Sequence, residues 1–220
     1  MKKKNKTPID CMKKLHQKGI WRPLACRESE ILSINEFIDK SFSSKLPLIY
    51  NVYGDQSTGK TASVELCLLM TPFSNQISFY DCSQISPGLT NLANPEGSRS
   101  LVILDNFDYF PESKKLDFIV NSLTSNVSLL IISRTMMIFK NIPQGISILI
   151  TKYSQYTPYQ IVTILKEKLS SSANAISDGV FNLIAKKTHT ENRNIIDAFN
   201  LLEQILMDAI QQNLSFIEIS

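Results

Sequence analysis

Gly54-Asp55-Gln56-Ser57-Thr58-Gly59-Lys60-Thr61 fits the pattern G-x-x-x-x-G-K-[ST] at every fixed position. Each fixed residue type meets a physical need of phosphate binding. The glycines take backbone conformations closed to residues with side chains, so successive N–H groups can turn inward onto phosphate oxygens. Lys60 supplies a point charge for the β- and γ-phosphates, and the Thr61 hydroxyl is a Mg2+ ligand by type. A chance match in a chain of this length has a probability on the order of one per cent. The flanks agree with the motif. Leu48-Ile49-Tyr50-Asn51-Val52-Tyr53 reads as a buried strand. Ala62, Val64, Leu66, Cys67, Leu68 and Leu69 read as a helix whose N-terminus faces the phosphates. The expected ligands are ATP and Mg2+, with Gly54, Asp55, Gln56, Ser57, Thr58, Gly59, Lys60, Thr61 and Ala62 on the nucleotide.

Around this motif the chain is ordinary for a soluble protein of 220 residues, 43% hydrophobic and 20% charged. No run approaches a membrane span, and no apolar stretch follows the lysine-rich start. Cys11, Cys26, Cys67 and Cys82 lack metal-ligand spacing and read as reduced thiols of an intracellular protein. Charge is unevenly placed. Residues 1–27 carry nine Lys/Arg against the single Asp10, whereas the remainder is mildly acidic. This basic arm over residues 1–27 suits contact with a polyanion such as duplex DNA. The same residues also read as a solvated tail, or as a nuclear address in Lys2-Lys3-Lys4-Asn5-Lys6.

Taken in order, the arm carries one basic helical stretch through Met12-Lys13-Lys14-Leu15. A helix starts at Glu28 or Ser29, with Ile31, Ile34, Phe37 and Ile38 on its apolar face, and residues 39–47 read as a polar loop. Beyond the phosphate-loop helix, Ile77-Ser78-Phe79-Tyr80-Asp81 is a second strand. Residues 82–99 read as loop with one helical turn near Leu89 to Leu92. Leu101-Val102-Ile103-Leu104-Asp105 is apolar throughout, the mark of a strand buried on both faces of a parallel sheet. Its terminal Asp105 suits a Mg2+ partner for Thr61. A helix through Leu116, Ile119, Val120 and Leu123 leads to strands at 127–133 and 146–150. From Thr157 the pattern becomes three helices without a strand. The expected organisation is a basic arm at 1–22, an α/β core with a five-stranded parallel sheet at 23–152, and a small all-α lid at 153–220. Tyr50, Tyr53 and Phe79 read as core, and His16 and His189 as surface residues.

A phosphate-loop core with a helical lid resembles the AAA+ ATPases, and within them the eukaryotic and archaeal replication initiators. Four stretches carry the resemblance: Cys26-Arg27-Glu28-Ser29-Glu30, the phosphate loop, Ile103-Leu104-Asp105-Asn106-Phe107-Asp108, and Tyr156 to Leu165. Among families of origin recognition complex subunits, that of the fifth subunit is the most similar. The opening signature at 26–29 and Ile131-Ile132-Ser133-Arg134 carry this, and the family of the largest subunit with its helicase-loader relative is the runner-up. The resemblance implies ATP and Mg2+ as cofactors, with Thr61 and Asp105 on the metal. Arg134 falls at the first-sensor position and Arg193 at the second, and Leu24 to Arg27 with Tyr156 to Ile161 flank the adenine. It also implies a hetero-oligomer with other AAA+ initiator subunits, duplex DNA as a partner, and a nuclear location.

The chain departs from the family in three places. Asn106 stands where hydrolysing relatives carry a glutamate, and an amide cannot take a proton from the attacking water. Arg134 stands where they place a water-orienting asparagine. Members of the family continue into a DNA-binding winged-helix domain, whereas the sequence given stops at Ser220, scarcely past the lid. Asp108 is a candidate substitute base. The implied function is an ATP-holding subunit of a replication-origin complex, with weak hydrolysis or none. The alternatives are a working loader or clamp-loader-type motor and, more remotely, a small nucleotide kinase.

Overall fold

The computed structural model describes residues 6–17, 24–84 and 99–218. Helices α1 (Pro8–Leu15) and α2 (Glu28–Ser43) precede strand β1 (Leu48–Tyr53) and helix α3 (Lys60–Leu68). Strands β2 (Ile77–Asp81) and β3 (Ser100–Asp105), helix α4 (Glu112–Thr124), and strands β4 (Val127–Ser133) and β5 (Ser147–Lys152) come next. Helices α5 (Pro158–Leu169), α6 (Asp178–Thr190) and α7 (Ile195–Gln211) come last. The chain divides into two compact units: residues 27–154, and residues 1–26 together with 155–220.

In the first unit the five strands form one parallel sheet in the order β2-β3-β4-β1-β5. The side-chain period of two sorts each strand between two cores. Tyr50, Val52, Leu101, Ile103, Leu130 and Ile132 face α2 and α3. Ile49, Val102, Leu104, Leu129 and Ile131 face α4. Each such large side chain contributes about 1.5–3 kcal/mol by leaving water. With helices on both faces, β4 is buried along its whole length, which is why its sequence is apolar at nearly every position.

Three elements differ from the sequence expectation. Helix α2 continues to Ser43 through residues read as polar loop. Phe37, Ile38 and Ser41 keep one face in the core while Lys40 pairs with Glu36 on the other, so polarity there marks an exposed face rather than a loop. Strand β5 runs from Ser147 to Lys152, two residues past the expected end, because β1 continues pairing through Tyr53 opposite Lys152. Phe79, read as core, is 38% exposed because β2 is an edge strand. The helical turn expected near residues 89–92 and the lysine run at 2–6 lie largely outside the described residues.

The second unit packs α1, α5, α6 and α7 around one apolar core that includes Cys11, Leu165, Phe181, Leu202 and Leu206. Its helices start at strong local signals. Thr157 and Gln160 form a reciprocal capping box at α5 with Pro158 behind it, and the Asn194 carboxamide oxygen accepts from the Ile196 N–H at α7. Helix α1 carries a third box, Thr7 with Asp10. Of the stretch 1–22 expected as a basic arm, residues 8–15 are thus a helix with a buried face. Cys11 is fully buried and its thiol donates to the Ser172 carbonyl at 3.0 Å, while Lys13 and Lys14 stay exposed. Burial pushes the thiols up, Cys11 to about 11 and Cys67 and Cys82 to about 12, and none of the four cysteines is in a disulfide. Among the described residues, no helix is long and apolar enough to cross a membrane.

Candidate functional site

The loop between β1 and α3 is shaped by three positive-φ residues, Gly54 at 149°, Ser57 at 61° and Gly59 at 92°. At Gly54 the requirement is also steric. A Cβ there would stand 2.2 Å from the Tyr153 carbonyl oxygen, so no other residue fits. Gly59 is the left-handed residue that opens α3. The free N–H groups of the first turn of α3 and the positive end of its dipole therefore adjoin the loop.

Lys60 is 9% exposed, and its ammonium donates to the Gly54 and Asp55 carbonyls, each at 2.7 Å. The side chain bridges the loop that an anion would fill. Burial lowers its pKa, opposed by the charges of Asp105, Asp108 and Asp55, while Arg134 lowers it further. The site therefore gathers four acidic or basic side chains from three separate segments around one ammonium. Thr61 donates its hydroxyl to Asp105 at 2.9 Å across 44 residues of sequence. Asp105 is 6% exposed, and desolvation raises its pKa against the bonds from Thr61 and the Asn106 N–H. A hydroxyl and a buried carboxylate in contact beside a lysine suit a small hard cation with oxygen ligands that itself sits on phosphate.

Asn106 is in the left-handed region at φ 54°, a conformation asparagine tolerates better than most residues. Its side chain is turned to the neighbouring strand end, where the amide donates to Asp81 at 2.9 Å. Asp81 also accepts from the Ser83 N–H and hydroxyl, and these bonds, led by that of Asn106, hold its carboxyl below the usual range. Asp108, the candidate substitute base, accepts the Arg134 N–H at 2.7 Å, which turns it toward the β4 end. Arg134 lies over the Tyr109 ring, 5.9 Å from its centroid. Arg193 belongs to the helical unit, where it pairs with Glu191 at 2.7 Å in the turn between α6 and α7. His16 and His189 are exposed, His16 against Glu203.

Arg27, which the resemblance sets beside the adenine, also has a structural role. It is 4% exposed and bonds to the Thr58 carbonyl at 2.9 Å, Glu30 at 2.8 Å and the Ser154 carbonyl at 2.7 Å, with its guanidinium over Tyr153. It fixes the apex of the phosphate loop to the start of α2 and to the chain after β5. Removing one partner of such a buried pair strands the other's charge. Arg27→Met is expected to lower unfolding free energy by about 3–5 kcal/mol in urea denaturation. A loss below about 1 kcal/mol would show that the guanidinium is dispensable to the loop. Asp81 and Asn51 were also missed. The signals available were an acid ending a strand beside the Asp105 strand, and a carboxamide inside an apolar run.

No family model matches the chain, and no curated protein matches it. Solved structures do. A chain in the structure of Drosophila ORC bound to DNA aligns over 99% of this chain with TM-score 0.77 at 15% identity. The ORC1 protein of Aeropyrum pernix in complex with DNA aligns over 94% with TM-score 0.69 at 18% identity. Cdc6p from Pyrobaculum aerophilum aligns over 93% with TM-score 0.70 at 14% identity. The chain spans 65%, 66% and 67% of those chains, respectively. At these identities the likeness is one of fold, a five-stranded parallel α/β unit with a helical companion.

Proposed function

We propose that this chain is an ATP-binding AAA+ subunit of the replication-initiator type, most like the fifth subunit of the origin recognition complex, that uses nucleotide for assembly more than for turnover. The phosphate loop with Lys60, and the Thr61–Asp105 pair suited to Mg2+, support binding. The observation that carries the assembly role is Asn106, an amide at the expected base position, committed to Asp81. Ground-state binding needs inward amides, Lys60 and the metal pair. Turnover also needs a base on the attacking water. Asp108 is held toward the β4 end by the Arg134 N–H and Asp81 takes three donors on one oxygen, so each carboxylate already serves bonds with which work as a base would compete.

Other AAA+ initiator subunits are the proposed partners, with a nuclear location and duplex DNA as the polyanion. Lys13 and Lys14, exposed on α1, are candidates for its phosphates. In this role Arg193 is the candidate second sensor. The test is the nucleotide that copurifies with the protein, released by denaturation and resolved by anion exchange. ATP as the main species is expected. Mainly ADP would transfer the proposal to the alternative, a loader-type motor, and no nucleotide at all would refute binding.

A further inference from the structure

We propose that the outer edge of β5 is a docking site for an extended, acidic segment of a partner protein, which adds to the sheet as a further strand. The inference goes beyond nucleotide binding and names a surface for one class of partner. Strand β5 ends the sheet order, with β1 on one side and no strand on the other. The Tyr153 N–H donates to the Tyr53 carbonyl at 2.7 Å, and Tyr53 stands opposite Lys152 in the register. Successive residues of a strand turn their N–H and C=O alternately to its two sides. The odd-numbered residues of β5 therefore serve β1, whereas Ile148, Ile150 and Lys152 turn theirs outward. Among the described residues these outward groups have no hydrogen-bond partner.

Ile148 and Ile150 stand opposite Ile49 and Asn51, on the face that α4 covers farther in. Asn51 is fully buried and grips β4 and the segment after it. Its amide nitrogen donates to the Ile131 carbonyl at 3.1 Å and to the Ser133 hydroxyl at 2.9 Å. Its carboxamide oxygen accepts from the Met137 N–H at 2.9 Å, which pins that segment over β1. Beyond it Ile148 stays 38% exposed and Ile150 46%. Sheets blunt such an edge with a proline, a bulge or an inward charge. Strand β5 has an unbroken register and no proline, and its one charge, Lys152, stands at the last position. Charge selects the occupant. No Asp or Glu occurs from Phe118 to Lys166, so β5 and its approach carry only cations, Arg134, Lys140 and Lys152. A Cβ at Gly145 would stand 2.9 Å from the Leu46 Cδ1, which places the turn carrying exposed Lys45 at the start of β5. Isoleucines between lysines fit a strand that alternates apolar and acidic residues. A second copy of β5 would bring the same cations and no acid, so like charge disfavours it.

The test uses the whole chain and two fluorescent peptides of about ten residues, valine alternating with glutamate in one and with lysine in the other. By fluorescence anisotropy the glutamate peptide is expected to bind about tenfold tighter than the lysine peptide, a difference that shrinks as salt is added. Amide exchange followed by NMR is expected to slow at Ile148, Ile150 and Lys152 when the glutamate peptide binds, because those N–H groups gain acceptors. Ile150→Pro removes one outward N–H without touching the bonds to β1, and is expected to weaken binding about tenfold. Ile148→Thr/Ile150→Thr keeps strand propensity but removes exposed apolar surface, and is expected to weaken binding about threefold. It decides the matter if the proline variant does not fold. The inference is overturned by a glutamate peptide that fails to bind, or that binds no better than the lysine peptide. Protection of other amides, or variants that bind as well as the wild type, would overturn it equally. Protection of the same three amides that rises with protein concentration, without peptide, would give the edge to a second copy and overturn it too.

Discussion

Lys60→Ala is expected to weaken Mg·ATP binding at least tenfold, about 1.4 kcal/mol or more. Two effects add in the same direction. The ammonium is the fixed cation of the loop, and it sits in a buried place where charge interactions are screened less than at the surface. It also donates to the Gly54 and Asp55 carbonyls, so its removal leaves two loop oxygens without that donor. The loop is then both less positive and less ordered. Calorimetry checks the affinity, and thermal unfolding without nucleotide checks that the fold survives. Arg27, bonded to the Thr58 carbonyl from the other side, keeps the loop apex in place in the variant. An unchanged dissociation constant would remove the phosphate loop from the binding site.

The second large effect concerns hydrolysis, and the structure changes the form of the experiment. From sequence, Asn106→Glu restores the missing base. In the fold, the new carboxylate would replace an amide that donates to Asp81 at 2.9 Å, setting two anions together. It would also impose glutamate on a left-handed position, φ 54°. Both push the glutamate out of place, so the single variant is expected to gain little. In Asp81→Asn/Asn106→Glu the donor and acceptor exchange sides, which removes the repulsion and leaves only the backbone cost: the new asparagine can donate to one oxygen of the new glutamate and leave the other for the water. Single-turnover hydrolysis is expected to rise about 10²-fold over the wild type, within the range that general bases contribute. Quench-flow with labelled ATP measures it. A double variant as slow as the wild type would place the barrier elsewhere, and brisk wild-type turnover lost in Lys60→Ala would show that another group serves as base.

Much of this was legible in the chain because the relevant signals are local. The phosphate loop is contiguous, β2 and β4 have their read boundaries, and the three helices of the lid follow their apolar periodicity. Asp105 could be read because it ends an apolar strand. The pairing of Asn106 with Asp81 could not, since 25 residues separate them and only the parallel register of β2 with β3 sets them side by side. Asn51 looked like a flaw in a strand, and its partners come from 80 and more residues away. A helical stretch at Met12 to Leu15 was legible, but its start at Pro8 and its buried face were masked by its lysines. Its buried face is short, and charge dominates any composition count over the first residues. Edge position misled at Phe79, because strand order is not written in the strand itself.

The chain makes its helical unit from two pieces, residues 1–26 and 155–220, with the entire α/β unit between them. Synthesis runs from the N-terminus, so α1 leaves the ribosome long before α7 exists. Throughout that interval Cys11 has neither Ser172 to bond nor the apolar core it fills in the finished protein. The α/β unit can meanwhile close on itself, since its two ends meet where Arg27 bonds the Ser154 carbonyl. Its closure draws the waiting helix and the emerging ones together and shortens the loop that docking must span. Seating α1 thus waits for α5, α6 and α7, and until they emerge the nascent chain carries an amphipathic helix open to chaperones.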